Sequence, residues 1–381
     1  MAVARKASVA KTGIKVLVYG EHGTRKSGTL VDFAKMTRED GKPMRVLYLD
    51  LETGSIEGFH LERLEDEGVD LNNVYIVYTS IYEEVNKYLE KVINKEEFYE
   101  LGEDGEETDD LVLDADGKPF FPDAVVIDGI TVLADDVKDA MISVSEARAV
   151  IRGEVKGKTK KEISVDVATA GMEFKDYDKL KAKGKRLIRS IIKSTNVHVG
   201  ITARPKEIKE TKRDSNGNMV SVPTGKYKLE QWDFIPYEVN TVLFNYKNDM
   251  EDEDVYGVIE NKDRTGTFSS GHIIKNPSIA MWQYVIEKNK NRKENVAMSQ
   301  NTYDENAKKE VKNELNLNES KKQETPGDLI YKLKTIFSDL KPLERKALAQ
   351  KMVESGISDF KEYENFEDIE KLKKMIEIAV G

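Results

Sequence analysis

Residues Gly20-Glu21-His22-Gly23-Thr24-Arg25-Lys26-Ser27-Gly28 combine what a phosphate chain requires. Glycines let backbone N–H groups curl around an anion, Lys26 supplies an ammonium, and the Ser27 hydroxyl can hold magnesium. The usual spacing, G-x-x-x-x-G-K-[ST], has glycine directly before the lysine, and here Arg25 stands in that place. A side chain there crowds the phosphate, points outward, or adds a guanidinium contact of its own. Residues 20–28 therefore read as a nucleotide-binding loop, and the pattern supports binding more directly than turnover.

Two carboxylates could complete the chemistry. Asp128 ends the apolar run Asp123-Ala124-Val125-Val126-Ile127-Asp128. Such an aspartate either holds magnesium through water, together with Ser27, or merely closes its strand; the loop upstream favours the metal role. Hydrolysis also needs a carboxylate that orients or deprotonates water. Many ATPases with this loop place a glutamate directly after the aspartate, but this chain has Gly129. The base must come from elsewhere. Glu52, in Leu49-Asp50-Leu51-Glu52 at the carboxyl end of another expected strand, is the candidate; its alternative is an ordinary solvated loop glutamate.

Short apolar runs alternating with helical periodicity would position these groups. Strands are expected at Lys15–Tyr19, Arg45–Asp50, Val74–Tyr78, Asp123–Asp128 and Val197–Thr202, with two more at Val239–Asn245 and Val255–Glu260. Helices are expected at Lys26–Met36, Tyr82–Leu101, about Thr131 to Ile151, and Met172–Lys193, with a lysine-rich loop at Gly153–Lys161. Asn216-Gly217 between alternating segments marks a hairpin within Lys206–Val222. Glu103–Gly117 is acidic and reads as a solvated loop or small hairpin. The pattern is α/β: a doubly wound, mostly parallel sheet with ligands at the carboxyl ends of its strands. This core spans 1–287. A polar linker expected to be disordered follows at 288–324, then a small helical interaction module at 325–381, where Leu329, Leu333, Ile336 and Phe337 form an apolar stripe.

The totals restrict the class. Charged residues make up 34% of the 381 residues and the net charge is −10, so any polyanion must meet a local basic patch rather than a basic surface. With no cysteine there are no disulfides, thiolate nucleophiles or cysteine zinc sites. His22, His60, His198 and His272 lack metal-ligand spacing and read as ordinary residues. No apolar run approaches a membrane span and the first residues carry no signal-like core, so the expectation is a cytoplasmic protein without membrane contact.

The set of loop 20–27, Glu52 after the second strand, Asp128 without an adjacent glutamate, and a fifth strand ending in Thr202 resembles the RecA-like ATPase core over about residues 12–275. The order is most similar to phage single-strand annealing proteins of the Sak-four class, with likeness also to KaiC. The resemblance implies ATP and Mg2+ as cofactors, Glu52 activating water, and Thr202 sensing the γ-phosphate. Asn261-Lys262-Asp263-Arg264-Thr265-Gly266 resembles a K-x-R-x-G segment whose cations reach the γ-phosphate of an adjacent subunit. That would give Lys262 and Arg264 a role in trans within a homo-oligomeric ring or filament; otherwise they decorate a charged hairpin tip.

Single-stranded DNA is the implied partner. Lys158, Lys160 and Lys161, a helix face with Lys179, Lys181, Lys183, Lys185, Arg186 and Arg189, and the hairpin residues Lys206, Lys209, Lys212 and Arg213 fall where RecA-like proteins carry DNA-binding loops. Cations there would make binding salt-dependent, although lysine-rich helix faces are commonly just solvated. Phe174, Tyr177 and Tyr227 are the nearest aromatics, too sparse for a base-stacking platform. The function expected is ATP-dependent annealing or strand exchange, with residues 325–381 recruiting a partner such as a single-strand binding protein. A non-hydrolysing nucleotide-binding adaptor and a P-loop nucleotide kinase stay open as alternatives.

Overall fold

The computed structural model describes residues 13–289 and 326–380, except 103–104, 195, 214–217, 250, 252, 340–341, 359 and 367. Most of the expected linker, from 290 to 325, lies outside the described residues. The chain divides into two compact units, Met1–Gln300 and Asn301–Gly381.

The first unit is built on one eight-stranded sheet. Its strands are β1 (Lys15–Gly20), β2 (Val46–Asp50), β3 (Val74–Tyr78), β6 (Ala124–Asp128), β7 (His198–Ala203), β10 (Thr241–Tyr246), β11 (Tyr256–Asp263) and β12 (Ile273–Lys275). They lie in the order β12-β11-β10-β1-β7-β6-β2-β3. Strands from β10 through β3 are parallel, whereas β11 pairs antiparallel with both β10 and β12 and alone runs against the rest. The central strands are apolar throughout because both faces are covered. Leu17 and Tyr19 enter one core with Leu49, Ile127 and Ile201, while Val16 and Val18 enter the other with Leu30, Phe33 and Trp282. Each such side chain removed from water contributes about 1.5–3 kcal/mol.

Helices α3 (Tyr82–Asn94), α4 (Ile130–Val155) and α6 (Phe174–Ser194) supply residues to the first core; α1 (Lys26–Val31), α2 (Phe59–Asp66) and α8 (Gln283–Asn289) supply the second. Two short helices, α5 (Lys160–Ala168) and α7 (Ile235–Glu238), complete the unit.

Several expected boundaries move. The helix expected over Lys26–Met36 stops at Val31 and tightens into a 3-10 turn at Asp32–Lys35. The buried Asp32 carboxylate there holds Arg63 at 2.6 Å and Lys35 at 3.1 Å. The helix expected over Tyr82–Leu101 ends at Asn94, because Lys95 turns left-handed (φ 58°). Tyr99–Leu101 is instead strand β4, paired with β5 (Glu107–Leu111), so the acidic insert forms a hairpin. The lysine-rich break is shorter than expected: α4 runs to Val155, and Thr159 caps α5 through a reciprocal bond pair with Glu162.

Beyond β7 the chain leaves the main sheet as a two-stranded ribbon, β8 (Pro205–Arg213) against β9 (Met219–Leu229). The second unit contains α9 (Pro326–Asp339), α10 (Pro342–Glu354) and α11 (Ile369–Val380) around its own core of Leu329, Leu333, Leu348, Met352, Leu372 and Met375. Among the described residues no helix is long and apolar enough to cross a membrane.

Candidate functional site

Four adjacent strands, β1, β7, β6 and β2, end side by side at one edge, and each delivers a polar group there. From β1 comes the glycine loop. Gly20 is required by close approach, since a Cβ on it would lie 2.1 Å from the Asn245 carbonyl oxygen of β10. Asn245 reaches back from beneath, donating through Nδ2 to the Thr24 carbonyl at 3.1 Å and to Thr29 Oγ1 at 3.2 Å. Thr24 Oγ1 donates to the Glu21 carbonyl at 2.7 Å. The loop is thus shaped by its own bonds and its neighbours.

Arg25 is the N-cap of α1 and sits in the left-handed region at φ 52°, ψ 35°. The backbone therefore keeps the conformation that glycine favours at this position, at a cost of about 1–2 kcal/mol for a side-chain-bearing residue. Its side chain is exposed. Next to it, Lys26 donates to the Glu21 carbonyl at 3.0 Å. Burial lowers the Lys26 pKa, and the Arg204 guanidinium adds to that, while the Glu52 and Asp128 carboxylates oppose it. These four charges share one crevice.

Asp128 is buried at the end of β6, and among the described residues its carboxylate accepts from three hydroxyls: Tyr48 at 2.7 Å, Ser55, and Thr202. Burial, then the adjoining Asp128 charge, raises the Tyr48 pKa far above its ordinary value. The fully buried Asp50 carboxylate shapes the following segment by accepting from the Glu52, Gly54 and Ser55 N–H groups at 3.2, 2.9 and 2.8 Å. Ser55 is half-buried, whereas Tyr48 and Thr202 are buried, so Ser55 is the most exposed of the three hydroxyls on Asp128.

Glu52 lies across the residue that follows Asp128. Gly129 adopts φ 92°, and a Cβ on it would stand 2.6 Å from Glu52 Cγ. The space left by the missing side chain at 129 is filled by Glu52, two residues beyond β2. Arg204 grips that carboxylate, with Nε at 3.1 Å and Nη2 at 2.8 Å from Glu52 Oε1.

Thr202 holds its neighbour in place: its buried hydroxyl donates to Asp128 and accepts from the Gly129 N–H at 2.7 Å, which fixes the Asp128 carboxylate. Arg204, two residues on, is the group from that strand end which reaches the other charges.

Lys262 and Arg264 are not in this crevice. Asp263 of antiparallel β11 pairs with Thr241, which pairs through β10 with the level of Val16, at the opposite edge from Gly20. The Asp263 carboxylate holds their turn, accepting from Thr241 Oγ1 at 2.8 Å, Thr265 N at 2.9 Å and Phe268 N at 2.9 Å. Burial, then the Arg264 charge, lowers the Lys262 pKa.

The expected basic groups separate into two kinds. Lys206, Lys209, Lys212 and Arg213 are exposed along β8, joined by Lys226 and Lys228 of β9. Lys160 and Lys161 are exposed in the first turn of α5, but Lys158 is paired with Asp166 at 2.6 Å. On α6, Lys181 pairs with Asp233 and Arg189 with Glu238, so part of that face is neutralised. Tyr227 is occupied: its ring stacks on Phe244 and its hydroxyl donates to Glu21 Oε1 at 2.9 Å.

Arg204, Ser55, Tyr48 and His60 are site residues that sequence reasoning passed over. His60 presses on α1, so that a Cβ on Gly28 would lie 2.4 Å from its Cε1. Burial, then Arg63, lowers its pKa. Of the four, only Arg204 carried a signal, being a cation at the end of a strand entering the crevice.

Among the described residues no group of three or more histidine, aspartate or glutamate side chains could hold a metal alone. Ser27 and Asp128 are hard oxygen donors of the kind Mg2+ uses when phosphates and waters complete its shell.

No family model matches the chain and no curated protein matches it. Among solved structures it is similar to a KaiC-like protein from the hyperthermophilic archaeon Pyrococcus horikoshii OT3, with 13% identity over 71% of this chain and 90% of that one and a TM-score of 0.33.

Proposed function

We propose that this chain binds and hydrolyses ATP in the crevice at residues 20–28, and couples that cycle to single-stranded DNA binding and annealing. The observation that carries the reading is the convergence of Lys26, Glu52, Asp128 and Arg204 from four neighbouring strand ends. Lys26 and the loop N–H groups hold the phosphates. Ser27 and Asp128 hold Mg2+, which neutralises charge on the phosphates. Glu52 accepts a proton from the attacking water as the bond between the γ-phosphorus and ADP breaks.

The exposed cations of the ribbon and of Lys160 and Lys161 supply a local polyanion surface on a chain whose net charge is −10. Lys262 and Arg264 stand away from their own loop on a turn fixed by Asp263, which suits action on a neighbouring subunit in a ring or filament. Residues 325–381 recruit a protein partner.

The test is ATP turnover with and without a single-stranded oligonucleotide at two salt concentrations. Stimulation that fades with salt is expected, together with loss of ATP binding and ATP-dependent assembly in Lys26→Ala. Turnover indifferent to the strand, or assembly surviving in Lys26→Ala, counts against the reading. Turnover of added nucleotides into their phosphorylated forms would revive the kinase alternative.

A further inference from the structure

The ribbon is fastened to the crevice at both of its roots, and each fastening is made to a carboxylate. Arg204, the residue before β8, donates twice to Glu52, and its own N–H donates to Thr131 Oγ1 at 3.0 Å. Tyr227, near the end of β9, donates to Glu21 of the phosphate loop. Its ring packs on Phe244 with centroids 5.3 Å apart and planes 23° from parallel, so packing aims the hydroxyl. The two roots are also joined to each other. Glu207 pairs with Tyr227, Pro205 pairs with Leu229, and the Glu230 N–H donates to the Arg204 carbonyl at 3.2 Å.

A triphosphate acts on both fastenings in the same direction. Lys26, which holds the Glu21 carbonyl, is attracted to the phosphates, and the Glu21 carboxylate is repelled by them. Arg204 shares the crevice with Lys26 and is attracted by the same charge, in competition with Glu52. Nucleotide therefore weakens Tyr227–Glu21 and Arg204–Glu52 together, which releases the ribbon and leaves the Glu52 carboxylate available to water.

We propose that Arg204 and Tyr227 are positioning residues that fasten the ribbon in the nucleotide-free state, so that triphosphate in the loop and a single-stranded polynucleotide on the ribbon strengthen each other's binding. The proposal rests on the function given above for the two surfaces. Reciprocity is required: whatever factor nucleotide applies to strand affinity, the strand must apply to nucleotide affinity. A ligand that did not distinguish fastened from released ribbon would shift nothing.

The experiment measures the affinity of a labelled oligothymidylate with and without a non-hydrolysable ATP analogue and Mg2+, and the reverse titration. Wild-type protein is expected to show the same coupling factor both ways, about 5- to 150-fold. Tyr227→Phe keeps the ring and its stack on Phe244 but deletes the donor. It should bind the strand without nucleotide more tightly than wild type, with the coupling factor reduced in both titrations. Arg204→Gln, an independent lesion at the other root, should also reduce it. Unchanged coupling in both variants overturns the proposal. Wild-type protein that binds both ligands without mutual effect overturns it too, but leaves the two binding functions standing; wild-type protein that binds nucleotide and ignores the strand overturns both.

Discussion

Gly129 and Glu52 require each other: the Cβ that any other residue would place at 129 falls 2.6 Å from Glu52 Cγ, inside contact distance. The missing side chain after Asp128 is therefore what lets a carboxylate from β2 enter the crevice.

Gly129→Ala is accordingly expected to displace Glu52 while leaving the phosphate loop in place. The φ of 92° adds backbone strain to the collision. A misplacement of about 1 Å in a catalytic group costs about 100-fold in rate. The prediction is a fall of that order in kcat for ATP, with nucleotide affinity little changed. Steady-state kinetics beside equilibrium nucleotide binding check it; unimpaired kcat would remove Glu52 from the mechanism.

Arg25→Gly restores the residue type that the loop conformation favours. Relief of the left-handed strain, about 1–2 kcal/mol, is partly offset by the greater freedom of glycine in the unfolded chain, about 0.4–1 kcal/mol. A net gain of about 0–1.6 kcal/mol is expected in denaturant unfolding. If the guanidinium also touches phosphate, nucleotide affinity falls in the same variant even as the fold becomes more stable. A loss of stability would mean that Arg25 is held by contacts stronger than its strain.

Much of this site was legible because strands and carboxylates leave local marks. Asp128 ends an apolar run, and Glu52 follows another, so both could be assigned to strand ends at one edge. The loop could be read despite Arg25 because Gly20, Lys26 and Ser27 keep their places. Ser55 and Tyr48 became visible only once β6 and β2 lay side by side, and Arg204, although marked as a cation past a strand end, found its carboxylate only there, since their partners are 73 to 152 positions away in the chain. The direction of β11 was equally hidden. Alternation identifies a strand without telling which way it runs, and its antiparallel course is what puts Lys262 and Arg264 at the far edge. Tyr99–Leu101 was lost to the helix before it because the left-handed turn at Lys95 falls on a residue with no sequence mark.

Lys15 gives a pH prediction with a definite sign. Its side chain is buried at the start of β1, donates to the Val197 carbonyl, and is pushed down to about 7 by burial from the ordinary 10.5. Between those values the unfolded chain holds a proton that the folded chain does not, so this group makes stability rise with pH through that window. The slope is at most about 1.4 kcal/mol per pH unit. Lys15→Met should be more stable than wild type at pH 7, with the difference closing toward pH 10. Unfolding midpoints across pH 7–10 measure it, and parallel curves for the two proteins would rule the account out.

The ribbon makes a quantitative prediction about salt. Single-stranded polynucleotide binding loses affinity with a log–log slope of about −0.7 per phosphate neutralised. Lys206, Lys209, Lys212 and Arg213 are exposed along one strand, and the only described ion pair among them joins Lys212 to Glu210 of the same strand at 3.4 Å. Replacing all four with alanine should reduce the slope by up to about 2.8, weaken binding at low salt most, and change it little at high salt. Alanine at Lys158, already paired with Asp166, should change the slope far less. Titrations of one oligonucleotide at four salt concentrations, for wild type and both variants, give the slopes directly. An unaltered slope in the fourfold ribbon variant would place the polyanion on another surface, with the exposed Lys160 and Lys161 of α5 the next to change.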